Sequence, residues 1–432
     1  MKRFRLGDIA IVDISGVDKR TKDGEQAVRL CNFTDVYYNW AITKNMYDSL
    51  MQASASDSDI EAFSLHKGQV AITKDSETRD DIGVATYIGD DFDDVVLGYH
   101  CALITPRTDV SEDEKIYGKY LNALLHTKYA QKYFSNNATG SGQRYTLSKE
   151  AIEDMPVYLP TYKEQVRIGD YLSDIDRKIE INNLINAELD AMAKQIYDYW
   201  FVQFDFPNED GKPYKSSGGK MVWNEDLKQE IPDKWITKSL NDLSTSTRGV
   251  TYSPSDLVDK NHGTLVLRGN NIENNHIVYD SNVAYIPDKM ISSDQYIRKY
   301  DVIMTMSSGS KMHLGKCAMF FNDSPHTFGA FLNKFTPSKV CPFYFFGCAT
   351  TSYFRKKVQS VNGTGINNLS NSIIDSILFP YPQKPAIMQD FENKVANIYT
   401  IIGTNIEQND ELASHRDYIL PLLINGQLTI KD

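Results

Sequence analysis

No two of the five cysteines stand at a CxxC spacing, and none has a histidine at zinc-ligand spacing. Cys31, Cys101, Cys317, Cys341 and Cys348 are scattered and odd in number. That pattern argues against a zinc site or a disulfide framework, and for reduced thiols in a cytoplasm. No apolar run reaches the roughly 18 residues of a membrane span. Met1-Lys-Arg-Phe-Arg-Leu-Gly-Asp8 is basic, but no apolar stretch follows it, so no secretory leader is expected. The signatures of catalysis are missing too. There is no HExxH, no GxSxG and no GxGxxG. No Pro-Asp is followed by an acid-x-Lys, as a nuclease centre would need, and no Asn/Asp-Pro-Pro-aromatic run marks an adenine-methylating site. Gly309-Ser-Lys-Met-His-Leu-Gly315-Lys316-Cys317 comes near a phosphate-binding loop. It has one residue too many between its glycines, and Cys317 stands where a hydroxyl should hold the metal. The eight histidines are dispersed, so no metal is expected on this chain.

An excess of positive charge is also absent. The net charge is −11, which as a sum argues against a nucleic-acid partner. The distribution says something different. Residues 115–149 hold Lys115, Lys119, Lys128, Lys132, Arg144 and Lys149 with no acid, and residues 324–374 hold Lys334, Lys339, Arg355, Lys356 and Lys357 with none. A polarised protein can show basic faces while remaining acidic overall. Aromatics are plentiful, with 26 Tyr and 19 Phe, so sizeable cores can form.

The chain repeats itself. Leu6-Gly-Asp-Ile9 matches Leu240-Asn-Asp-Leu243, and Arg29-x-x-Asn32-Phe33 matches Arg268-x-x-Asn271-Ile272. Lys67-Gly-Gln-Val-Ala-Ile-Thr73 matches Lys299-Tyr-Asp-Val-Ile-Met-Thr305. Thr139-Gly-Ser-Gly-Gln-Arg-Tyr-Thr-Leu-Ser148 matches the shorter Thr364-Gly-Ile-Asn-Asn-Leu-Ser370. The shared order, roughly 230 residues apart, makes a duplicated domain. Each copy reads as short strands, a helix in the basic block (Tyr117–Phe134; Phe343–Val358), a Gly-rich loop and a Pro-marked strand. A long helix then closes it. The expected class is α+β, a mixed α/β architecture. Its parts are a first domain at 1–160, a helix at 161–206, a linker at 207–233, a second domain at 234–383, and a helix with tail at 384–432.

The long helices carry coiled-coil seams. In the first, Ile168, Leu172, Ile175 and Ile179 keep a 4-3-4 spacing. After a slip near Asn182, Ile185, Leu189, Met192, Ile196 and Tyr199 resume it. In the second the seam is Phe391, Val395, Ile398, Ile402, Asn405, Leu412, Ile419 and Leu423. Asn182, Asn186, Asn405 and Asn409 stand where apolar residues belong, and an antiparallel pairing would gather them. Two amphipathic helices, each lying on its own domain, are the alternative. A length of ~40 residues at ~1.5 Å each argues against that, since it reaches about 60 Å.

What remains is recognition chemistry. The loops Gly140–Tyr145 and Gly363–Asn368 set Gln, Arg and Asn beside glycines, and such side chains pair two-point with guanine or adenine. The residues expected to face DNA are Lys74, Arg79, Lys128, Lys132, Gln143, Arg144 and Tyr145 in the first copy. In the second they are Arg268, Lys311, His313, Arg355, Lys356, Asn367 and Asn368. Two other readings stay open here: a two-module adaptor for a non-DNA ligand on a helical rod, and a lone nuclease or nucleotide hydrolase.

The duplication, Gly365-Ile-Asn-Asn-Leu-Ser370 before a Pro-ended strand, and Pro160-Thr-Tyr-Lys-Glu-Gln165 opening Ile168-x-x-x-Leu172-x-x-Ile175-Asp176 together carry a resemblance. So does Trp200-Phe201-x-x-Phe204-Asp205-Phe206-Pro207, followed by Gly211-Lys212-Pro213-Tyr214. The chain resembles the specificity subunits of type I restriction–modification systems. The first Gly loop departs from the pattern, with Gln143-Arg144-Tyr145-Thr146 where the second has Ile-Asn-Asn. The resemblance implies two target-recognition domains, each reading half of a split site in double-stranded DNA. It also implies antiparallel spacer helices that dock two methyltransferase subunits, with restriction–translocation subunits joining the assembly. S-adenosylmethionine, ATP and Mg²⁺ would then belong to those partners, and none to this chain.

Overall fold

The computed structural model describes residues 1–140, 142–279, 283–338, 340–360 and 367–430. The chain divides into two compact units, Met1–Ile181 with Gln408–Asp432, and Asn182–Glu407. Both divisions fall inside the long helices.

In the first unit a five-stranded sheet runs in the order Ala10–Ile14, Cys101–Pro106, Val70–Thr73, Ala85–Ile88, Ala41–Ile42. A three-stranded sheet joins Met51–Ala55, Gln26–Cys31 and Val95–Leu97. The β-branched, apolar runs Val70–Thr73 and Ala85–Ile88 are buried at every residue, as central strands covered on both faces require. In the second unit the corresponding sheets are Ser244–Arg248, Leu332–Pro337, Val302–Thr305, Cys317–Met319 and Ala284–Ile286, Thr264–Leu267, Thr327–Phe328. The mixed α+β class and the duplication are therefore as the sequence indicates.

Strand register fixes which residues correspond. Lys2–Arg5 pairs with Pro156–Leu159 as Trp235–Lys238 pairs with Phe379–Pro382, and the short helices Leu6–Ile9 and Leu240–Leu243 follow. Thr73 and Thr305 both accept, at their carbonyls, from a left-handed glycine, Gly83 (φ 77°) or Gly315 (φ 67°), at 2.9 Å. A side chain at Gly83 would strike Phe134 within 2.3 Å, so the loop must turn there without one. One match is corrected. Cys31 and Leu267 each accept from Gly98 or Gly329, so Asn32 corresponds to Arg268 and Asp35 to Asn271. The Arg29 and Arg268 motifs were three residues out of register. Both true partners do the same work: Asp35 and Asn271 accept the backbone N–H of Asn32 and Arg268, at 2.7 and 2.9 Å.

Each expected basic-block helix is two helices. Gly118–Leu125 and Lys128–Asn137 break at Thr127, and Pro342–Thr350 and Ser352–Gln359 break at Thr351. Each threonine hydroxyl accepts from a backbone N–H three residues on, at 3.3 and 3.2 Å, and starts a new helix. Residues 207–233, read as a linker, form a hairpin of Met221–Asn224 with Gln229–Pro232 that buries Ile231.

The long helices are Tyr162–Tyr197, extended by a π turn at Asp198–Val202, and Pro385–Ile424. Their seam contains no slip. The covered positions of the first are Ile168, Leu172, Ile175, Ile179, Asn182, Asn186, Leu189, Ala193, Ile196 and Trp200, an unbroken 4-3 alternation. Those of the second are Met388, Phe391, Val395, Ile398, Ile402, Asn405, Asn409, Leu412, Arg416, Ile419 and Leu423. Ile185, Met192 and Tyr199, expected in the seam, are exposed by 42, 51 and 38 % and form a second stripe. Within each unit the helices pair antiparallel. Asp176 meets Arg416 at 3.5 Å in the first, and in the second Asn405 donates to Asn186 at 2.8 Å while Trp200 rests on Phe391.

Candidate nucleic-acid interface

In the first unit, strand Val70–Thr73 leads through Lys74 into the two-residue strand Asp75–Ser76. The latter pairs with Tyr145–Thr146, itself paired to Thr139–Gly140. The Gly-rich loop is thus the turn of a small sheet built on the end of a core strand. Asp75, 8 % exposed, is its centre. Its Oδ2 accepts from Lys74 Nζ at 2.8 Å, lies 2.8 Å from His100 Nδ1, and lies 3.6 Å from an Arg144 terminal nitrogen. Burial pushes the Asp75 carboxyl up, but bonds from His100, Lys74 and Thr146 outweigh it and hold it below the usual range. The Tyr99 ring lies against His100, with centroids 3.6 Å apart. Asp75, Tyr99, His100, Arg144 and Thr146 line an open cleft of about 470 Å³. Arg79 stacks over Tyr145 at 5.3 Å, on a loop anchored by Ser135 bonding to Asp80 and Tyr37 to Asp81.

The structure therefore gathers Lys74, Arg79, Arg144 and Tyr145. Gln143 is exposed on the turn. Lys128 and Lys132 stand one helical turn apart, exposed on Lys128–Asn137, and are not bonded to the cluster. Sequence reading missed Asp75, Tyr99 and His100. The signal was a polar run, Thr73-Lys74-Asp75-Ser76, at the end of an apolar strand.

The second unit places Ser307–Ser308 beside Asn367–Asn368 in the same register. The side chain of Asn367 and residues 361–366, with Gly363, Thr364, Gly365 and Ile366 of the expected loop, lie outside the described residues, as do Ser141 and Lys339. Ser307 bonds the Asn368 amide oxygen. Lys311 and His313 occupy the loop 309–314, with Met312 62 % exposed beside them. Arg355 holds that loop by donating to the Leu314 and Met312 carbonyls at 2.8 and 2.9 Å. Lys356 is exposed. Arg268 starts the turn that follows strand Thr264–Leu267.

The acid-free blocks are basic faces only in part. Lys115 pairs with Glu112, Lys119 with Asp170, and Lys149 with Asp13, at 2.7, 2.8 and 3.5 Å. Lys334 is a core residue, its side chain 7 % exposed and 3.2 Å from the buried Asp301. Folding brings acids from elsewhere in the sequence onto these cations. All five thiols are buried, and burial pushes Cys317, Cys341 and Cys348 up to about 12, far from a nucleophile's range. Among the described residues no group of three or more His, Cys, Asp or Glu is set to hold a metal, and no helix is long and apolar enough to cross a membrane.

The chain thus holds two like mixed domains, each with a polar surface site at the end of a core strand and each containing an antiparallel stretch of the two long helices. Residues 1–191 match the type I restriction modification DNA specificity domain. The StySPI specificity subunit of Salmonella potsdam is 27 % identical over 46 % of this chain and 44 % of its own length, so the match spans less than half of that relative. The MjaIX specificity subunit of Methanocaldococcus jannaschii is 24 % identical over 78 % of this chain and 76 % of its own. The crystal structure of the type I restriction-modification system S subunit from M. genitalium shares the fold. Its TM-score is 0.53 at 13 % identity, covering 98 % of this chain and 95 % of that one. The resemblance to type I specificity subunits is borne out.

Proposed function

We propose that this chain is the DNA-reading subunit of a type I restriction–modification complex, each unit reading one part of a two-part site in duplex DNA. The observation that carries this reading is the pair of corresponding sites, Asp75–Ser76 with Tyr145–Thr146 and Ser307–Ser308 with Asn367–Asn368, set at the same place in both units. Both present donors and acceptors able to address base edges. The second stripe on the first long helix, with Ile185, Met192 and Tyr199 exposed, supports docking of the methyltransferase subunits on that helix. Those subunits would hold the methyl donor, and the restriction subunits ATP and Mg²⁺. With a net charge of −11 this chain is poorly equipped to neutralise phosphates alone, so the complex, not the isolated chain, is expected to bind its site tightly at physiological salt. Sequencing that detects methylated adenines, in cells with and without this gene, tests the proposal. Loss of one two-part methylated motif is expected, and an unchanged methylation pattern overturns it.

A further inference from the structure

The two corresponding sites are built from different chemistry. Lys74 and Met306 each donate a backbone N–H, the first to the carbonyl of His100, the second to that of Phe331, at 2.9 Å. Leu147 and Leu369 donate in turn to the carbonyls of Lys74 and Met306, at 2.8 and 2.7 Å. Asp75 therefore corresponds to Ser307, His100 to Phe331, and Thr146 to Asn368. The first unit has a charged network. The second has a neutral hydroxyl–amide pair and an aromatic ring exposed by 66 %.

From this difference we infer that Arg144 is the guanine-reading residue of the first unit, held in position by Asp75 and His100, and that among the described residues the second unit has no counterpart of that network. The inference rests on the DNA-reading function proposed above. Asp75 is buried and its Oδ2 is shared by Lys74 and His100, so it is a support and not a reader. Arg144 is half out of the surface, with its side chain 59 % exposed. One terminal nitrogen lies 2.5 Å from His100 Nδ1, 3.1 Å from its Nε2 and 3.6 Å from Asp75 Oδ2. The Arg144 side chain lines the cleft. Two parallel N–H groups match the O6 and N7 acceptors of guanine in the major groove. A carboxylate behind the guanidinium offsets part of its charge. That weakens attraction to a phosphate, which is read by charge, more than a two-point bond to a base, which is read by geometry.

The full-length chain with its methyltransferase partner is offered a randomised duplex library, and the bound fraction is sequenced. The wild type is expected to select a two-part sequence with a G·C pair fixed in one part. Arg144→Ala and Arg144→Lys should each relax that pair by roughly tenfold or more, because lysine keeps the charge but not the fork. Asp75→Asn should relax the same pair while the other part of the site is read as before, whereas a merely structural role would weaken binding to all sequences alike. Arg144 lies on the surface, so its variants decide the matter even if Asp75→Asn fails to fold. A G·C preference that survives Arg144→Ala overturns the assignment, as does a loss spread evenly over all sequences. A wild-type complex that selects nothing overturns the DNA-reading function itself.

Discussion

His126 shows how one side chain ties the stability of the first unit to pH. Its ring lies on Trp40 with centroids 4.1 Å apart, and its Nδ1 is 2.8 Å from the Asn122 carbonyl. Burial, with the Arg416 guanidinium nearby, depresses its pKa from 6.5 to about 4, against the smaller pull of the Asn122 bond and Asp417. The folded state thus binds the proton less readily than the unfolded chain. The stability is fully present above pH ~6.5 and is lost as pH falls toward 4. At about 1.4 kcal/mol per pH unit, the descent costs at most about 3.5 kcal/mol. His126→Phe should flatten that part of the curve, measured as melting temperature between pH 7 and pH 4; an unaltered slope would refute the role. This residue was illegible in the sequence, because nothing local announces that His126 will meet Trp40. Lys334 was misread for the same reason. Its partner Asp301 is a strand away, and only the sheet register brings them together. Arg144 was legible as a residue type, since an exposed loop advertises polar chemistry, but the carboxylate that organises it with the largely covered Lys74 was not.

The long helices were the most legible elements, because a heptad repeats and repetition survives single exceptions. What misled was polarity. Asn182, Asn186, Asn409 and Arg416 occupy seam positions, while Ile185 and Met192 do not, so following apolar residues alone invents a slip. The Asn186–Asn405 bond has the cost and use of buried amides in coiled coils, less stability for a fixed register. Asn405→Leu alone should destabilise by about 1–3 kcal/mol, since it strands the Asn186 oxygen. Adding Asn186→Leu should restore the loss or exceed it; chemical denaturation of the single and double variants measures both. Register also sets the consequence of length. One added heptad in each long helix extends them by about 10 Å, close to three base-pair steps. The unread stretch between the two parts of the methylated motif should lengthen accordingly, with the parts themselves unchanged, and mapping of modified adenines reads this directly. An unchanged gap would dispose of the idea that the helices set the spacing.

For the whole molecule, duplication is the organising fact, and it was readable because corresponding motifs recur in order even where Gly68 is replaced by Tyr300. Both adopt positive φ, at 98° and 67°, so the backbone is kept where the side chain is not. Since each unit has its own sheets and its own site, exchanging residues 234–383 for the equivalent segment of a relative should change only one part of the methylated motif. A change in both would show that the units do not read independently. The division of the chain has a further effect, on its birth. Residues 182–407 are contiguous, so the second unit can condense as soon as it clears the ribosome. The first unit is left waiting: Ile168, Leu172 and Ile175 share their core with Ile419, Leu420, Leu423 and Ile424, which are translated about 250 residues later. A chain stopped after Glu407 should therefore yield a protease-resistant second unit and a first unit cut readily along Tyr162–Ile181, so that the domain begun first is the one finished last.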